Sequence, residues 1–353
     1  MQLTETGEPS EPTGELTIAD VAHAAGVSVS TVSRILNNKP DVAEKTRERV
    51  LTVIRATGYT PHAQAQGLRA GKTRTIAVIY PLADYPFLQN IRQLELSFMV
   101  GAAAATGEAN YFFNLVTRPV TEESLLNMYR SAQVDGVVLM EICMQDWRVD
   151  LLRKHGLPFV MIGRCEDNEG LSYIDLDIEQ AVIAAFDHLV ALGHRRIGFL
   201  SYSAAVYQRE FGPAIRSRLA YQRALQKHNL PSLHREVGFT VQDSFDATLD
   251  LLGEQPQLTA IVTDLDQMAV GCLWGLHESG LVVPDDFSVV GITTEDQAQM
   301  TVPPMTSIEF SASKMGYEAV KMLIAKLQEK QPENHPILIS PTLTQRGTSG
   351  PPR

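Results

Sequence analysis

The sequence predicts an α/β protein, in which a small all-α head precedes a body of two parallel-sheet subdomains. Residues 16–57 have the apolar spacing of short helices, whereas after Thr75 β-branched runs alternate with helical stretches. The chain has 353 residues, of which 44% are hydrophobic, enough for two or three domains with filled cores. Because the alternating part is longer than one sheet usually takes, we expect two similar subdomains with a cleft between them.

The composition argues against several classes of protein. The sequence contains no apolar run approaching the roughly 18 residues of a membrane helix. Its first residues, MQLTETGEPSEPTGE, lack the basic and apolar regions of a secretory signal. Three cysteines without a CxxC pair argue against a disulfide scaffold or a zinc ribbon. We therefore expect a cytoplasmic protein with no membrane contact and no structural metal.

The net charge of −11 conceals an uneven distribution along the chain. Residues 1–15 hold four acids and no base, which with their low apolar content predicts a disordered tail. Residues 16–70 hold seven Lys and Arg against four acids, whereas residues 71–353 hold 23 against 33. A basic head on an acidic body is typical of a DNA-binding protein, although chance variation over 55 residues is an alternative explanation.

Three short helices are predicted in the head. Thr17 is placed to cap the first helix, with Asp20 completing a capping-box-like pair, and Gly26 ends it. Ser28 caps a second helix that contains Val32, Ile35 and Leu36. A third helix runs from about residue 43 to residue 57, with Val50, Leu51, Val53 and Ile54 at buried positions, and Gly58 stops it.

A linker at residues 59–74 separates the head from seven candidate strands. Their spacing, with helical segments between them, predicts βαβ units and parallel sheets. The candidate strands are residues 75–80, 111–116, 136–140, 159–162, 196–200, 260–263 and 288–292.

The segment AHAAGVSVSTVSRILN at residues 22–37 predicts a helix-turn-helix, because a Gly-centred turn joins two short helices with small residues at their crossing. Its second helix offers hydroxyls and one arginine to a major groove. Ser and Thr can reach phosphates or bases, and Arg34 can bind guanine O6 and N7 together. A helical hairpin with a merely solvated polar face is the alternative.

Residues 16–37 and the following NNKPDVAEKTRERVLTVIRATGYTPHAQAQGL closely resemble the headpiece of the lactose/galactose-repressor (LacI-type) transcription factors. The resemblance continues through LVALGHRRIGFL at 189–200, DQMAVG at 266–271, ESGLVVPDDFSVVG at 278–291 and PPMTSI at 303–308. It covers the chain except residues 1–15. The resemblance implies a body with the periplasmic-binding-protein type I fold, with crossovers near 164–177, 292–311 and 339.

The resemblance also implies a hinge helix after the headpiece, with Leu68 wedged into the minor groove at the operator centre. Such a wedge unstacks a base step and kinks the duplex. Gly67 lowers the stability of the hinge helix by about 1 kcal/mol relative to Ala, so folding of the hinge should depend more on DNA. Packing of Leu68 against the body is the alternative. The predicted DNA-contacting residues are Thr17, Ser28, Val29, Ser30, Thr31, Ser33, Arg34, Asn37, Tyr59, Ala65 and Leu68.

One headpiece covers too little DNA for tight binding, so a two-fold dimer on a palindromic operator is expected. The first body helix, around residues 88–105, is rich in Leu, Met and Ala, and either forms a dimer face or packs in the core. No C-terminal leucine heptad supports a tetramer.

By resemblance, a small effector binds in the cleft of the body. An aromatic face with a few polar groups suits a small-molecule site. The predicted effector-binding residues are Asp84, Phe87, Arg164, Arg218, Phe239, Asp264 and Thr293, each of which could instead be structural.

The sequence departs from the sugar-responsive pattern at four places. Gly163 and Leu265 stand where those members often have Asp and Asn or Ser, and Thr293-Thr294 replaces an Asp pair. Ser217 stands at the place of an effector-gripping Arg, between Arg216 and Arg218. Unpaired sugar hydroxyls in a buried site cost roughly 1–3 kcal/mol each. A typical hexose is therefore disfavoured, and a less polar ligand, an anionic ligand or no ligand remain open.

No catalytic constellation, cofactor motif or metal-ligand spacing is present in the sequence. GLRAGKT at 67–73 has the wrong glycine spacing for a phosphate-binding loop, and we interpret His194 as a structural residue.

We predict a tail at 1–15, a headpiece at 16–60, a hinge at 61–74 and a body at 75–348. Within the body, 75–175 with 310–339 and 176–309 with 340–348 form the two subdomains. The predicted function is a non-enzymatic regulator, more specifically a repressor; the alternative is a solute-binding protein without regulatory DNA contact.

Overall fold

The structure, a computed structural model, describes residues 16–36, 39–59, 73–80, 93–328 and 335–353. The chain divides into two compact units at the boundary between Thr73 and Arg74. The first unit is helical over its described residues, and the second contains two sheets covered by helices. None of the described helices has both the length and the apolar character needed to cross a bilayer.

Three helices form the headpiece: α1 (Ile18–Ala25), α2 (Val29–Leu36) and α3 (Glu44–Thr57). The predicted capping box is confirmed, because Thr17 and Asp20 each accept the other's backbone N–H. Gly26 and Gly58 end α1 and α3 at φ 61° and 66°, where a residue without Cβ is favoured.

The headpiece has its own small core. The buried apolar side chains of all three helices and of the chain after α3 meet there: Val21, Ala22, Ala25, Val32, Ile35, Val50 and Tyr59. The predicted burial of Leu51 is wrong, since 38% of this residue is exposed. Val50 already fills the inward position of α3, and the next residue lies about 100° further round the helix.

The first sheet contains β1 (Thr75–Ile79), β2 (Phe112–Val116), β3 (Gly136–Leu139), β4 (Phe159–Ile162), β5 (Tyr173–Leu176) and β11 (Pro336–Ile339). Its order is β11-β5-β4-β3-β1-β2, and every pair is parallel. One face packs against α4 (Gln93–Glu108) and α13 (Ala312–Gln328). The other face packs against α5 (Glu122–Arg130) and α6 (Trp147–Lys154), so the subdomain is doubly wound.

Two glycines allow α4 and α13 to pack backbone to backbone. A Cβ added at Gly101 would lie 1.8 Å from the carbonyl oxygen of Ser313. A Cβ added at Gly316 would lie 1.9 Å from the carbonyl oxygen of Phe98. No other residue type fits at these positions without separating the two helices.

The second sheet contains β6 (Ile197–Tyr202), β7 (His234–Val237), β8 (Ala260–Thr263), β9 (Ser288–Thr293), β10 (Thr306–Glu309) and β12 (Thr342–Thr344). Its order is β12-β10-β9-β8-β6-β7, and only the β10–β12 pair is antiparallel. Helices α7 (Ile178–Ala191) and α9 (Gly212–His228) cover one face. Helices α10 (Val241–Glu254) and α11 (Asp266–Glu278) cover the other, and α8 (Ala204–Gln208) and α12 (Glu295–Met300) are short.

The chain passes between the two sheets three times. It leaves the first sheet after β5, returns to it between β10 and α13, and leaves it again between β11 and β12. Because the crossings follow the carboxyl ends of β5, β10 and β11, they lie on the side of the sheets where α/β proteins bind ligands.

All seven predicted strands are confirmed, and five further strands were not predicted: β5, β7, β10, β11 and β12. The missed strands are short and carry polar or proline residues, as in His234-Arg235-Glu236 of β7. All five lie at or next to a sheet edge, where strands do not need the continuous apolar run of a central parallel strand.

Candidate DNA interface and effector cleft

The N-terminal turn of α2 presents a cluster of hydroxyl groups. The Oγ of Ser28 accepts the backbone N–H of Thr31 at 3.2 Å and therefore caps the helix. The same Oγ lies 2.7 Å from the Oγ of Ser30 and 2.9 Å from the Oγ1 of Thr31. Ser28 and Ser30 are exposed, so this turn offers hydroxyl groups and helix N–H groups to a phosphate or a base edge.

Arg34 lies one and a half turns along the same helix and points into solvent. Its guanidinium Nη2 lies 2.9 Å from the Oδ2 of Asp41, in the segment between α2 and α3, and 61% of its side chain is exposed. An exposed ion pair of this kind contributes at most about 1 kcal/mol, so Arg34 can exchange Asp41 for another partner.

The other predicted DNA-contacting residues are in different environments. Thr17 is exposed and caps α1, whereas Val29 and Ser33 are half-buried, and Val29 packs against the headpiece core. Tyr59 is buried in that core, where its ring contributes packing. Three predicted residues, Asn37, Ala65 and Leu68, lie outside the described residues, as do residues 61–72 of the predicted hinge at 61–74.

Exposed basic residues that were not assigned a role also belong to the headpiece. Lys39, Lys45 and Arg49 are exposed, and the carbonyl of Lys39 accepts the guanidinium of Arg47 at 2.6 Å. The charge count over residues 16–70 indicated an excess of bases, but only the fold shows which of them reach solvent.

A cavity of about 110 Å³ in the body lies at the carboxyl ends of strands from both sheets. Met140 and Gly163 reach it from the first sheet, and Tyr202, Asp264 and Thr293 reach it from the second. Most of the remaining lining is apolar or aromatic: Leu94, Phe98, Ile142, Ile162, Leu176, Ile178, Phe211, Pro213, Leu265, Ile292, Phe310 and Met315.

Two of the predicted effector-binding residues, Asp264 and Thr293, line this cleft. Phe239 lies behind the lining, with its ring 6.3 Å from the ring of Tyr202. Asp84 and Phe87 lie outside the described residues. The Gly163, Leu265 and Thr293 positions, where the sequence departs from the sugar-responsive pattern, are all part of the lining.

The three arginines near the cleft are engaged with protein groups. Arg164 donates from Nε to Asp175 at 3.0 Å. Arg216 donates to the carbonyls of Arg164 and Cys165 at 3.0 and 2.6 Å. Arg218 pairs with Glu236 and stacks on Tyr207, with its guanidinium carbon 3.3 Å from the ring centroid. None of the three is part of the lining, so the described residues do not offer the cationic contacts that an anionic effector, one of the ligands left open by the sequence, would use.

Asp264 is a deeply buried acid of the cleft. Its Oδ2 accepts the hydroxyl of Ser217 at 2.5 Å, and burial raises the pKa of its carboxyl to about 7. Among the described residues, no group donates to its Oδ1, and the Oγ1 of Thr293 likewise has no hydrogen-bond partner. Buried polar atoms in proteins are usually paired, so these two atoms indicate a place for a ligand or ordered water.

His194 is structural. Its ring is buried and contacts the hydroxyls of Thr259 and Ser288 and the carbonyl of Gly350, which ties the C-terminal segment to the second sheet. Within the described ranges, no group of three His, Cys, Asp or Glu side chains is arranged to hold a metal ion.

Two family models match the chain. Residues 17–62 match the model described as bacterial regulatory proteins, lacI family, and residues 186–349 match a periplasmic binding protein-like domain. The first of these contains the three headpiece helices, and the second contains all six strands of the second sheet together with α13 and β11.

Relatives and solved structures match over nearly the whole chain. Catabolite control protein A of Priestia megaterium is 32% identical over 87% of this chain and 91% of its own length. The HTH-type transcriptional repressor PurR of Mannheimia succiniciproducens is 30% identical over 94% and 97%. A transcriptional regulator CelR–cellobiose complex matches with a TM-score of 0.67 at 27% identity over 94% and 99%.

The Lac repressor dimer bound to operator and the anti-inducer ONPF shares the fold, with a TM-score of 0.81 at 24% identity over 96% of this chain and 100% of that one. The helix-turn-helix of the headpiece, the two-sheet body and the 32% identity to catabolite control protein A over most of both chains together show that the chain belongs to the LacI family of bacterial transcriptional regulators.

Proposed function

We propose that this protein represses transcription by binding a palindromic operator as a dimer, with an affinity that a small effector in the body cleft controls. The observation that carries the proposal is the exposed hydroxyl and guanidinium side of α2. This side is held on a helix-turn-helix that has its own apolar core. The named relatives are transcriptional regulators, and we assign this chain the same non-enzymatic role, in the cytoplasm where its operator would be.

In this proposal, α2 enters the major groove of one half-site. Ser28 and Ser30 contact phosphates or base edges from the helix N-terminus, and Arg34 reads a guanine. Lys39, Lys45 and Arg49 supply charge toward the phosphates, which makes binding dependent on salt. We keep the hinge at 61–74, with Leu68 as the minor-groove wedge, as part of the same proposal.

The proposed dimer uses apolar surface of the body. On α4, Phe98 and Met99 pack in the core, whereas Leu96 and Val100 on the other side of the helix are exposed. One side of this helix therefore packs in the core, and we assign the exposed side to the dimer. On α11, Trp274 is 46% exposed and lies against Phe245 with the ring centroids 4.4 Å apart. Apolar surface of this kind fits a second copy of the chain.

The proposal is tested by footprinting the full chain on DNA upstream of its own gene, followed by titration of the protected duplex at several salt concentrations. Two protected half-sites about one helical turn apart, and affinity that falls with salt, are expected. Arg34→Ala should weaken operator binding by about 1–3 kcal/mol and leave nonspecific binding nearly unchanged. Arg55→Ala, an exposed arginine on α3, is the matched control. The absence of any salt-sensitive protection at a palindromic site would refute the proposal.

A further inference from the structure

We infer that the effector cleft binds a small, mainly apolar molecule carrying a protonated amine, with the ammonium group at the Oδ1 of Asp264 and the Oγ1 of Thr293. The inference rests on the proposed function, because it names the chemical class of the effector. Three features of the cleft lead to it, namely its charge, its unpaired buried oxygen atoms and its aromatic lining.

The described lining of the cleft carries acidic side chains and no basic one. Five carboxyl groups are part of the lining, from Glu95, Glu141, Asp175, Asp264 and Asp266, and none of the lining residues that the structure describes is basic. Asp175 is compensated by Arg164 from outside the lining. An anion entering this space would meet carboxyl groups and no base on the described lining, whereas a cation would be attracted by them.

Asp264 needs a partner that the described part of the protein does not supply. The residue is 2% exposed, its Oδ2 has only the neutral hydroxyl of Ser217, and no described group donates to its Oδ1. A buried carboxylate is stable only when it is paired and hydrogen-bonded. An ammonium group brings both the opposite charge and three hydrogen-bond donors.

Thr293 and the aromatic side chains complete the site. Thr293 is 3% exposed, and its Oγ1 can accept a second N–H from the same ammonium group. Tyr202 and Phe211 lie edge to face, with ring centroids 5.7 Å apart, and both line the cleft. Aromatic faces attract cations and pack against hydrocarbon, so this wall suits both parts of the ligand.

The cavity volume suits a single-ring probe, since engineered cavities of similar volume hold one benzene ring. Benzylamine, benzyl alcohol and benzoate share one carbon skeleton and differ in charge. Each is titrated calorimetrically into the full chain without DNA, at pH 8. Benzylamine is expected to bind at least tenfold more tightly than benzyl alcohol, and benzoate is expected not to bind.

Asp264→Asn keeps the shape of the side chain but removes its charge. This variant should bind benzylamine ten- to a hundredfold more weakly. A change of that size corresponds to the loss of roughly one charge-assisted hydrogen bond. Thr293→Val should weaken binding by a smaller factor. Asp285→Asn, at an exposed acid outside the cleft, should leave it unchanged. Thermal melting of each variant verifies that it is folded.

Three results would each overturn the inference: benzoate binding as tightly as benzylamine, unchanged benzylamine affinity in Asp264→Asn, or no binding of any of the three probes. Operator affinity is measured separately by fluorescence anisotropy. Salt-dependent operator binding without a preference for the amine would reject the ligand class and leave the proposed function standing. Amine binding without any DNA binding would reject the proposed function instead.

Discussion

The guanidinium group of Arg34 lies 2.9 Å from the carboxylate of Asp41, so the one arginine of the proposed recognition helix is already paired with an acid of the same headpiece. To reach a guanine, Arg34 has to leave this partner. The ion pair therefore competes with DNA for the same side chain, although both groups are exposed and the competition is weak.

Asp41→Asn should strengthen operator binding severalfold, because it releases Arg34 and removes a negative charge near the phosphates. Fluorescence anisotropy with a labelled operator measures the change. Glu48→Gln removes one exposed acid from α3 without touching Arg34 and serves as the control. If the two variants gained affinity equally, the gain would come from the general charge of the headpiece and not from the ion pair.

Thr17→Ala should destabilise the headpiece by about 1 kcal/mol, because it removes the side-chain acceptor of the capping box. Thr17→Ser retains the hydroxyl and should remain close to the parent protein. Hydrogen exchange of the α1 amides, followed by mass spectrometry, measures the local free energy of opening. Equal protection in the Ala and Ser variants would show that the cap does not stabilise α1.

Gly316→Ala should destabilise the body by more than about 2 kcal/mol, because the new methyl group would collide with the backbone of α4 at Phe98. Gly253→Ala, within α10, meets no atom within 4 Å and should be neutral or slightly stabilising. Denaturant unfolding of the two variants gives the comparison. Equal stability would mean that α4 and α13 can separate at little cost.

Asp264→Asn should stabilise the ligand-free protein more at pH 8 than at pH 5. Burial raises the pKa of the Asp264 carboxyl to about 7 in the folded protein. The same carboxyl in the unfolded chain loses its proton near the ordinary pKa of 3.8, so above that pH the folded state binds more protons than the unfolded state. Stability is therefore lost as the pH rises toward 7, by up to roughly 4 kcal/mol for a shift of this size. Asn cannot ionise and should remove this dependence. Thermal melting of both proteins between pH 5 and pH 8 tests it, and parallel curves would contradict it.

The periodic apolar segments explain which parts of the fold were predictable. Helices α1 and α2 begin at the capping residues Thr17 and Ser28, and α1 and α3 end at glycines. The central strands β3 and β4 are continuous apolar runs, so local sequence specifies these elements. Strand β7, with His234, Arg235 and Glu236, carries no such run, because it lies at a sheet edge. Its pairing depends on a neighbouring strand that is distant in the sequence.

The cleft was predicted less well than the headpiece. Asp264 and Thr293 lie in the lining as expected, whereas Arg218 turns away to Glu236 and Tyr207. Three consecutive residues of α9, Arg216, Ser217 and Arg218, point in three directions. A helix turns by about 100° per residue, so only the packing of the helix determines which of them meets the cleft.

By itself, the sequence determined the α/β class and the helix-turn-helix with its caps, because each is written in residues close together in the chain. The departure of the cleft from a sugar-binding pattern followed from the family resemblance, position by position. The tertiary structure alone decided that Arg34 pairs with Asp41, that Ser217 serves Asp264 and that no arginine faces the described cleft. The two pairings depend on side chains from separate parts of the chain coming within 3 Å of one another, and the packing of the elements that carry them brings such partners together.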